Sequence, residues 1–512
     1  MTAEVDAAKV DAAEAARLSG ALLERLKVVA PIFDLPEAER DALAARGVGP
    51  LLDALVRTAR DRASDPHLWL LIVAVTANFP NADQVRMTRR AVGFADPTLA
   101  MVAFLEASFD SAARFSGLDS RIELVRGGVL VDVDFCASNL HNTGIQRVVR
   151  QTMSRWEVNR DIRLVAWTDD GGAMRALTPV QHRRVTAWNT APEPRGQRED
   201  PNTDHVLVVP FESVVVLPEV PQMSLCDPLA ALAEFSGNKT GLVGYDAIPV
   251  VSADMVPDGE TERFVRYLTI VKHSHRVAGI SVAATAEFAG FGDAVEAQGL
   301  TPPTTVEITL PIALPDDVSA EPTAPEDVPL VLCVGSQEAR KNHLAVLFAA
   351  EMLWREGLEF RLRFIGGGSL AFIRTFDRRV AALRRQGRRI EVLRGVDDSV
   401  LMSSYAEARF TVFPSLHEGY GLPVAESLAR GVPVVTSDYG STAEIAVDGG
   451  CLTVDPRDDD ALLDAMRSLI VDETVLERLR AECRARPVRT WDTYADELWD
   501  GLVVPLQEGS DV

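Results

Sequence analysis

The segment from Phe410 to Thr436 leaves little choice of fold. Phe410, Thr411, Val412 and Phe413 read as a short buried strand that Pro414 stops, and Val432 to Thr436 read as another. One short helix fits between them. Pro423 suits its first position, where a missing N–H costs nothing, and Gly431 suits the left-handed residue past its last turn. Strand, helix and strand in so short a span predict an α/β fold with parallel sheets. Two carboxylates sit on this junction: Glu418 at the carboxyl end of the first strand and Glu426 about one turn into the helix, with seven residues between them. That edge is where open α/β sheets bind ligands.

Ionised carboxylates only accept hydrogen bonds, so a pair of them suits neighbouring hydroxyls, as on a sugar ring or a ribose diol. Gly419 and Gly421 let the backbone come close, and the free amides near Gly421 and Leu422, at the positive helix end, suit a phosphate oxygen. Either glutamate alone reads equally well as a solvated loop residue or a helix-dipole partner. The two in register with these glycines and prolines favour a binding site.

The segment E-G-Y-G-L-P-V-A-E and the S-L-A-R-G-V-P-V-V that follows resemble the retaining glycosyltransferases of family 4. The resemblance implies the GT-B fold, two facing Rossmann-like domains, and covers roughly residues 125 to 500. It assigns Glu418 to the transferred sugar and Glu426 to the ribose of the nucleotide. Upstream, the strand Leu330 to Val334 ends in Gly335, and Ser336 to Asn342 leads into a helix whose Leu344, Leu347 and Phe348 are expected to face inward. This looks like the family's phosphate loop, in which Arg340 and Lys341 would neutralise the diphosphate. Ser336 stands where many relatives carry Arg, which leaves more of that work to Arg340 and Lys341. A solvated basic pair is the plainer reading, but only five of the 52 basic residues are lysines, so a lysine is not the default cation here.

By the same resemblance Val396, after the strand Ile390 to Leu393, packs against the nucleobase. Gly144, in T-G-I-Q-R, lets the first domain approach the donor phosphate, while Arg147 is open between a phosphate or acceptor contact and a surface role. Gly241 to Pro249 reads as a strand ending in an acid, with Tyr245 where many relatives have His. Asp246 is the candidate for positioning the acceptor hydroxyl or steadying the reacting sugar. Ser441 and Glu444 read as a capping box with a structural role.

Three signals compete with this reading. Gly366 to Ala371 satisfies the G-x-G-x-x-A dinucleotide fingerprint, but it does not follow the first strand of its unit, and Glu391 lies inside the next strand instead of at its end. It is therefore read as a tight turn near the phosphates. Asp132-Val133-Asp134 spells D-x-D, yet both acids are expected on one face of a strand from Gly128 to Phe135, without companion ligands, so no metal is assigned. His273 and His275 read as helix-end residues, not ligands.

A net charge of −23 argues against a nucleic-acid partner. The 47% hydrophobic content supports a full core, and five scattered cysteines suggest a reducing cytoplasm without structural disulfides. No signal peptide is evident, and Leu68 to Ala77 reads as a buried helix too short to span a bilayer. The basic stretch Arg374 to Arg394 reads as a solvated face around Phe372, Phe376, Val380 and Leu383. Peripheral contact with anionic lipid at the inner membrane face is its alternative use.

The expected organisation is a helical extension over 1–120, with Leu18, Leu22 and Leu26 on one stripe and Val102, Leu105 and Phe109 on another, available for oligomerisation, docking or covering the acceptor side. A first Rossmann-like domain (121–315), a linker (316–328), a second, donor-binding domain (329–490) and a closing aromatic helix (491–512) follow. The function implied is transfer, without a cofactor or metal, of a hexose from a nucleotide diphosphate sugar to a hydroxyl of a glycan, lipid-linked or protein-linked acceptor. A GDP-mannose-like donor is favoured over UDP- or dTDP-sugars. The alternatives are a catalytically silent GT-B binding protein and a nucleotide-sugar epimerase.

Overall fold

The computed structural model describes residues 12–110, 117–188, 206–312 and 328–509. Two sheets organise it. The first contains β1 (Arg121–Arg126), β2 (Val129–Asp132), β3 (Arg163–Trp167), β4 (Met174–Ala176), β5 (Val206–Phe211), β6 (Val214–Leu217), β7 (Lys239–Gly244), β8 (Arg276–Gly279) and β9 (Thr304–Glu307), in the order β1-β5-β4-β3-β2-β6-β7-β8-β9. All pairings are parallel except those of β4. The second contains β10 (Leu330–Val334), β11 (Arg361–Ile365), β12 (Ile390–Leu393), β13 (Ala408–Phe413), β14 (Val434–Ser437) and β15 (Cys451–Val454), and is wholly parallel.

The second sheet runs β12-β11-β10-β13-β14-β15. Numbered within the sheet this is 3-2-1-4-5-6, the doubly wound order, whose direction of winding reverses between β10 and β13 and leaves a crevice at their carboxyl ends. The central strands are continuous apolar runs because helices cover both faces, and Val214 to Leu217 is buried at every position. The GT-B architecture expected from the sequence is present.

The N-terminal helices do not stand apart. Their apolar faces share one core with the first sheet, in which Trp69, Phe79 and Trp167 pack edge to face. The helix Asp65–Thr76 buries Leu68 through Thr76. Arg25, itself buried, donates to Ala74 O at 2.7 Å and Ser120 O at 3.0 Å, fastening the helical layer to the start of β1. On the opposite face lie the helices Gly144–Asn159 and Trp491–Leu498. There Trp156 donates to Ala495 O at 2.8 Å and Trp499 stacks edge-on at 5.2 Å.

Several local expectations need correction. In the helix Ala100–Asp110 the buried positions are Ala100, Phe104 and Ser108, so Val102 faces outward. The helix His343–Arg355 buries Val346, Leu347, Ala350 and Leu353, while Leu344 and Phe348 are exposed. Its phase is set by Asn342, a left-handed residue (φ 56°) between a 3-10 turn at Ala339–Lys341 and the helix. Asp134 is not on a strand. β2 ends at Asp132, and Asp134 opens a short helix whose amides at Phe135 and Cys136 are both capped by Glu219 at 2.9 Å. The expected linker lies outside the described residues, save Val328. Among the described residues no helix is long and apolar enough to cross a membrane, and all five cysteines are unpaired.

Candidate functional site

A cleft of about 650 Å³ opens where the carboxyl ends of the two sheets face each other. From the first domain it is lined by Gly144, Arg147, Tyr245 and Asp246. The second domain contributes Arg340, Lys341 and Val396 after β10 and β12, and Glu418, Gly421, Leu422 and Glu426 after β13. The residues singled out from the sequence for donor and acceptor contacts are thus brought to one cavity. No described residue before Asn142 lines it.

Glu418 is nearly buried, its side chain 10% exposed, and both of its oxygens are engaged. Lys341 Nζ lies 2.5 Å from Oε1 and Arg340 Nη1 3.1 Å from Oε2. Burial works to protonate the carboxyl, but Lys341 and Arg340 hold it below the usual carboxylate range. Burial likewise depresses Lys341, opposed by Glu418, and its ammonium also sits 4.9 Å from the centre of the Phe413 ring. Asn342 makes this placement. Its left-handed backbone turns the chain sharply after Lys341, and its side chain donates to Pro456 O at 2.7 Å.

Glu426 stands on the helix Leu422–Ala429, whose N-terminus follows Gly421 (φ 111°). It accepts from the Tyr405 hydroxyl at 3.0 Å and is ion-paired with Arg147 from the other domain. Arg147 is therefore no simple surface arginine. Asp246 lies just beyond β7, accepting from Ile248 N at 3.1 Å; burial raises its pKa, opposed by the charge of Arg340. Val396 is half-buried on the cleft wall.

Several glycines here also allow close packing. A Cβ on Gly419 would run into the carbonyl of Tyr245, so this glycine admits the facing domain. A Cβ on Gly144 would lie 2.9 Å from Leu422 Cδ1, again across the domain boundary. In Gly366-Gly367-Gly368 the first and third residues back directly onto Gly335 O and Gln337 O, so the glycines let two loops pack together. Glu391 pairs with Arg363 at 2.6 Å, which accounts for an acid inside that strand.

The Ser441–Glu444 capping box is absent. Ser441 Oγ donates to Glu418 O at 2.9 Å, supporting the loop that carries Glu418. Glu444 reaches into the first domain, where it accepts from Val282 N at 2.9 Å and Ala283 N at 2.8 Å, capping the helix Val282–Glu296. Ser281 Oγ donates to Gly419 O at 2.6 Å and Tyr420 hydroxyl to Leu310 O at 2.7 Å. The two domains are thus closed on each other by polar links around the cleft. His417 and Glu287, neither marked by a sequence motif, belong to this set, while Tyr405, equally unmarked, supports Glu426 within the second domain.

The acids of D-x-D lie elsewhere in the first domain. Asp132 accepts from Trp167 Nε1 at 2.8 Å, and Asp134 from Trp167 N at 3.0 Å. Among the described residues no group of three or more His, Cys, Asp or Glu is arranged to hold a metal. His275 Nδ1 meets Thr240 N at 3.1 Å and His273 ends the helix Glu260–His273, consistent with structural roles.

The mannosyltransferase WbdA of Escherichia coli is 25% identical over 338 residues, 62% of this chain and 38% of that protein. The O-antigen chain mannosyltransferase B of Escherichia coli is 38% identical over 135 residues, 26% of this chain and 34% of that protein. The chain thus spans less than half the length of either relative. Among solved structures, Anabaena HepE in complex with UDP and glucose aligns with a TM-score of 0.48 at 13% identity, covering 73% of this chain and 98% of that one. Residues 316–486, the part of the chain that holds Arg340, Lys341, Glu418 and Glu426, match the family model described as Glycosyl transferases group 1.

Proposed function

We propose that the protein is a retaining glycosyltransferase that moves a hexose from a nucleotide diphosphate sugar to a hydroxyl of a glycan, lipid-linked or protein-linked acceptor. The observation that carries the reading is the convergence of Glu418, held by Lys341 and Arg340, with Glu426 in one cleft at the winding switch of the second sheet. A cation pair, two acceptor carboxylates and a helix N-terminus are the groups that a diphosphate, a hexose and a ribose require. A mannose donor is favoured because the relatives named above are mannosyltransferases.

In this reading Glu426 accepts from the ribose diol, Val396 flanks the base, and Gly144, Gly421 and Leu422 bring backbone to the phosphates. Arg340 and Lys341 stabilise the charge that grows on the diphosphate as the bond from the sugar's anomeric carbon to the phosphate oxygen breaks. The acceptor oxygen bonds to the same face of that carbon, and its proton passes to the leaving diphosphate oxygen. Asp246 orients the acceptor hydroxyl, and Glu418 holds the hexose. Closure of the domains excludes water from the site.

The reading is tested by incubating the protein with a panel of GDP-, UDP- and dTDP-sugars and scoring binding and sugar release. Turnover of one donor with retained anomeric configuration supports it. Tight nucleotide binding with no turnover on any acceptor class points instead to a silent binding protein.

A further inference from the structure

His417 precedes Glu418 and crosses the domain boundary. Its Nε2 lies 2.5 Å from Glu287 Oε1 and its Nδ1 2.8 Å from Ser252 Oγ, both on the first domain. Glu287 turns its other oxygen to the amide of Ala247, the residue after Asp246, at 2.5 Å. The carbonyl of His417 is held by Arg340 Nη1 at 3.3 Å. An unbroken chain therefore runs from the phosphate-side arginine through His417 and Glu287 to the backbone beside Asp246.

We propose that His417 is a positioning residue: clamped between Glu287 and Ser252, it sets the loop bearing Asp246 against the loop bearing Glu418 when the domains meet. Ser281 and Tyr420 also bridge the domains, but through neutral hydrogen bonds to carbonyls. The His417–Glu287 link instead joins two titratable groups, His417 adjoining Glu418 in the chain and Glu287 bonded to the residue after Asp246. The charged groups facing the imidazole are Glu287 from the helix Val282–Glu296, Asp246 from the end of β7, and Glu418 and Arg340 from its own domain. The hydrogen bond that the ring donates to Glu287 raises the histidine's pKa against the effect of burial, and the surrounding carboxylates add to it. With the ring charged, both nitrogens donate, to Glu287 and to Ser252. Neutral, the ring still donates to the Glu287 carboxylate from Nε2 and accepts from Ser252 at Nδ1, but it loses the attraction between two opposite charges.

The inference rests on the glycosyltransferase reading for its activity assay, and the test separates the two. His417→Ala, His417→Gln and Glu287→Gln are compared with wild type for nucleoside diphosphate affinity, kcat, and kcat against pH. Expected for His417→Ala is a kcat lower by about 10- to 100-fold, the scale of a slight misplacement of reacting groups, with nucleotide affinity within about threefold. The alkaline fall of wild-type kcat is expected to vanish in His417→Gln, and His417→Ala/Glu287→Ala is expected to be no worse than the worse single variant. An unchanged kcat and pH profile in His417→Ala overturns the proposal, as does a loss of nucleotide affinity equal to the loss of turnover. If the wild type binds no nucleoside diphosphate, the donor-site reading fails instead, and the clamp is judged from Tm. The Tm gap between wild type and His417→Gln then shrinks from mildly acidic to alkaline pH if His417 forms an ion pair, and a gap independent of pH overturns it.

Discussion

Lys341 Nζ lies 2.5 Å from Glu418 Oε1, while Arg340 takes the other oxygen at 3.1 Å, so the carboxylate proposed for the sugar neutralises the cations proposed for the diphosphate. A diphosphate arriving at Arg340 and Lys341 shares these cations and frees lone pairs of Glu418 for hydroxyls. In the proposed reading, ligand binding exchanges one set of charge-assisted bonds for another.

Lys341→Met is expected to lower turnover by about 10²- to 10³-fold, the range for removing one donor from a developing anion. Because Arg340 still holds Glu418, destabilisation stays below the 3–5 kcal/mol typical of breaking a buried pair, at about 2 kcal/mol. Losing Lys341 also removes the largest influence lowering the pKa of Glu418, so the acid limb of the pH–rate profile moves to higher pH. Steady-state kinetics across pH and urea denaturation check these outcomes.

Gly419→Ala is expected to open the cleft, since the added methyl meets Tyr245 O from the facing domain. The cost is about 1–3 kcal/mol, as for other overpacked sites, with loss of transfer activity. Gly290→Ala is the control. Gly290 is exposed within the helix Val282–Glu296 with nothing near its Cβ position, so alanine there should stabilise by about 0.5–1 kcal/mol.

Glu444→Ala removes two capping hydrogen bonds from a helix in the other domain, leaving the one to Ser281, and should cost about 1 kcal/mol. The loss should appear as weaker coupling between the domains, read as proteolysis near the cleft that a bound nucleotide suppresses. Glu444→Gln, which keeps an acceptor oxygen, should recover part of it.

Burial, aided by the charge of Asp134, pushes Asp132 up to about 8, and burial pushes Glu219 up to about 7. Both carboxyls hold protons in the folded state that the unfolded chain releases near its ordinary carboxylate pKa. Their contribution is therefore most favourable below that pKa and is lost as pH rises through about 7 to 8. Asp132→Asn should gain stability relative to wild type as pH rises across this window, measured as urea midpoints at successive pH values.

Local chemistry was legible in the sequence wherever a residue's constraint lies within its own turn. Gly431 is left-handed (φ 73°) just beyond its helix, as its place in the pattern requires. The strand before Pro414 and the buried helix from Leu68 follow from continuous apolar runs. What escaped was set by distant partners. Glu444 looks like a local cap three residues from Ser441, but its amides come from Val282 and Ala283 on the other domain. Leu344 and Phe348 face outward because the left-handed Asn342 rotates the start of their helix, which periodicity alone does not register. Asp134 leaves the strand because Glu219, far along the chain, offers its carboxylate to the next two amides. His417 carries no motif, and its use depends on Glu287 and Ser252 arriving from the facing domain.

The most direct measurement is equilibrium titration of the wild type, Glu426→Ala and Glu426→Gln with GDP, UDP and dTDP, with Tm confirming that each variant is folded. A ribose diol on Glu426 predicts that the wild type binds at least one nucleotide and that Glu426→Ala weakens it by about 30-fold, near the 2 kcal/mol expected for hydrogen bonds to a charged acceptor. Glu426→Gln should fall between them. Affinity in a folded Glu426→Ala within about twofold of wild type, or no nucleotide bound by the wild type, would contradict the assignment of this cleft as a nucleotide-sugar site.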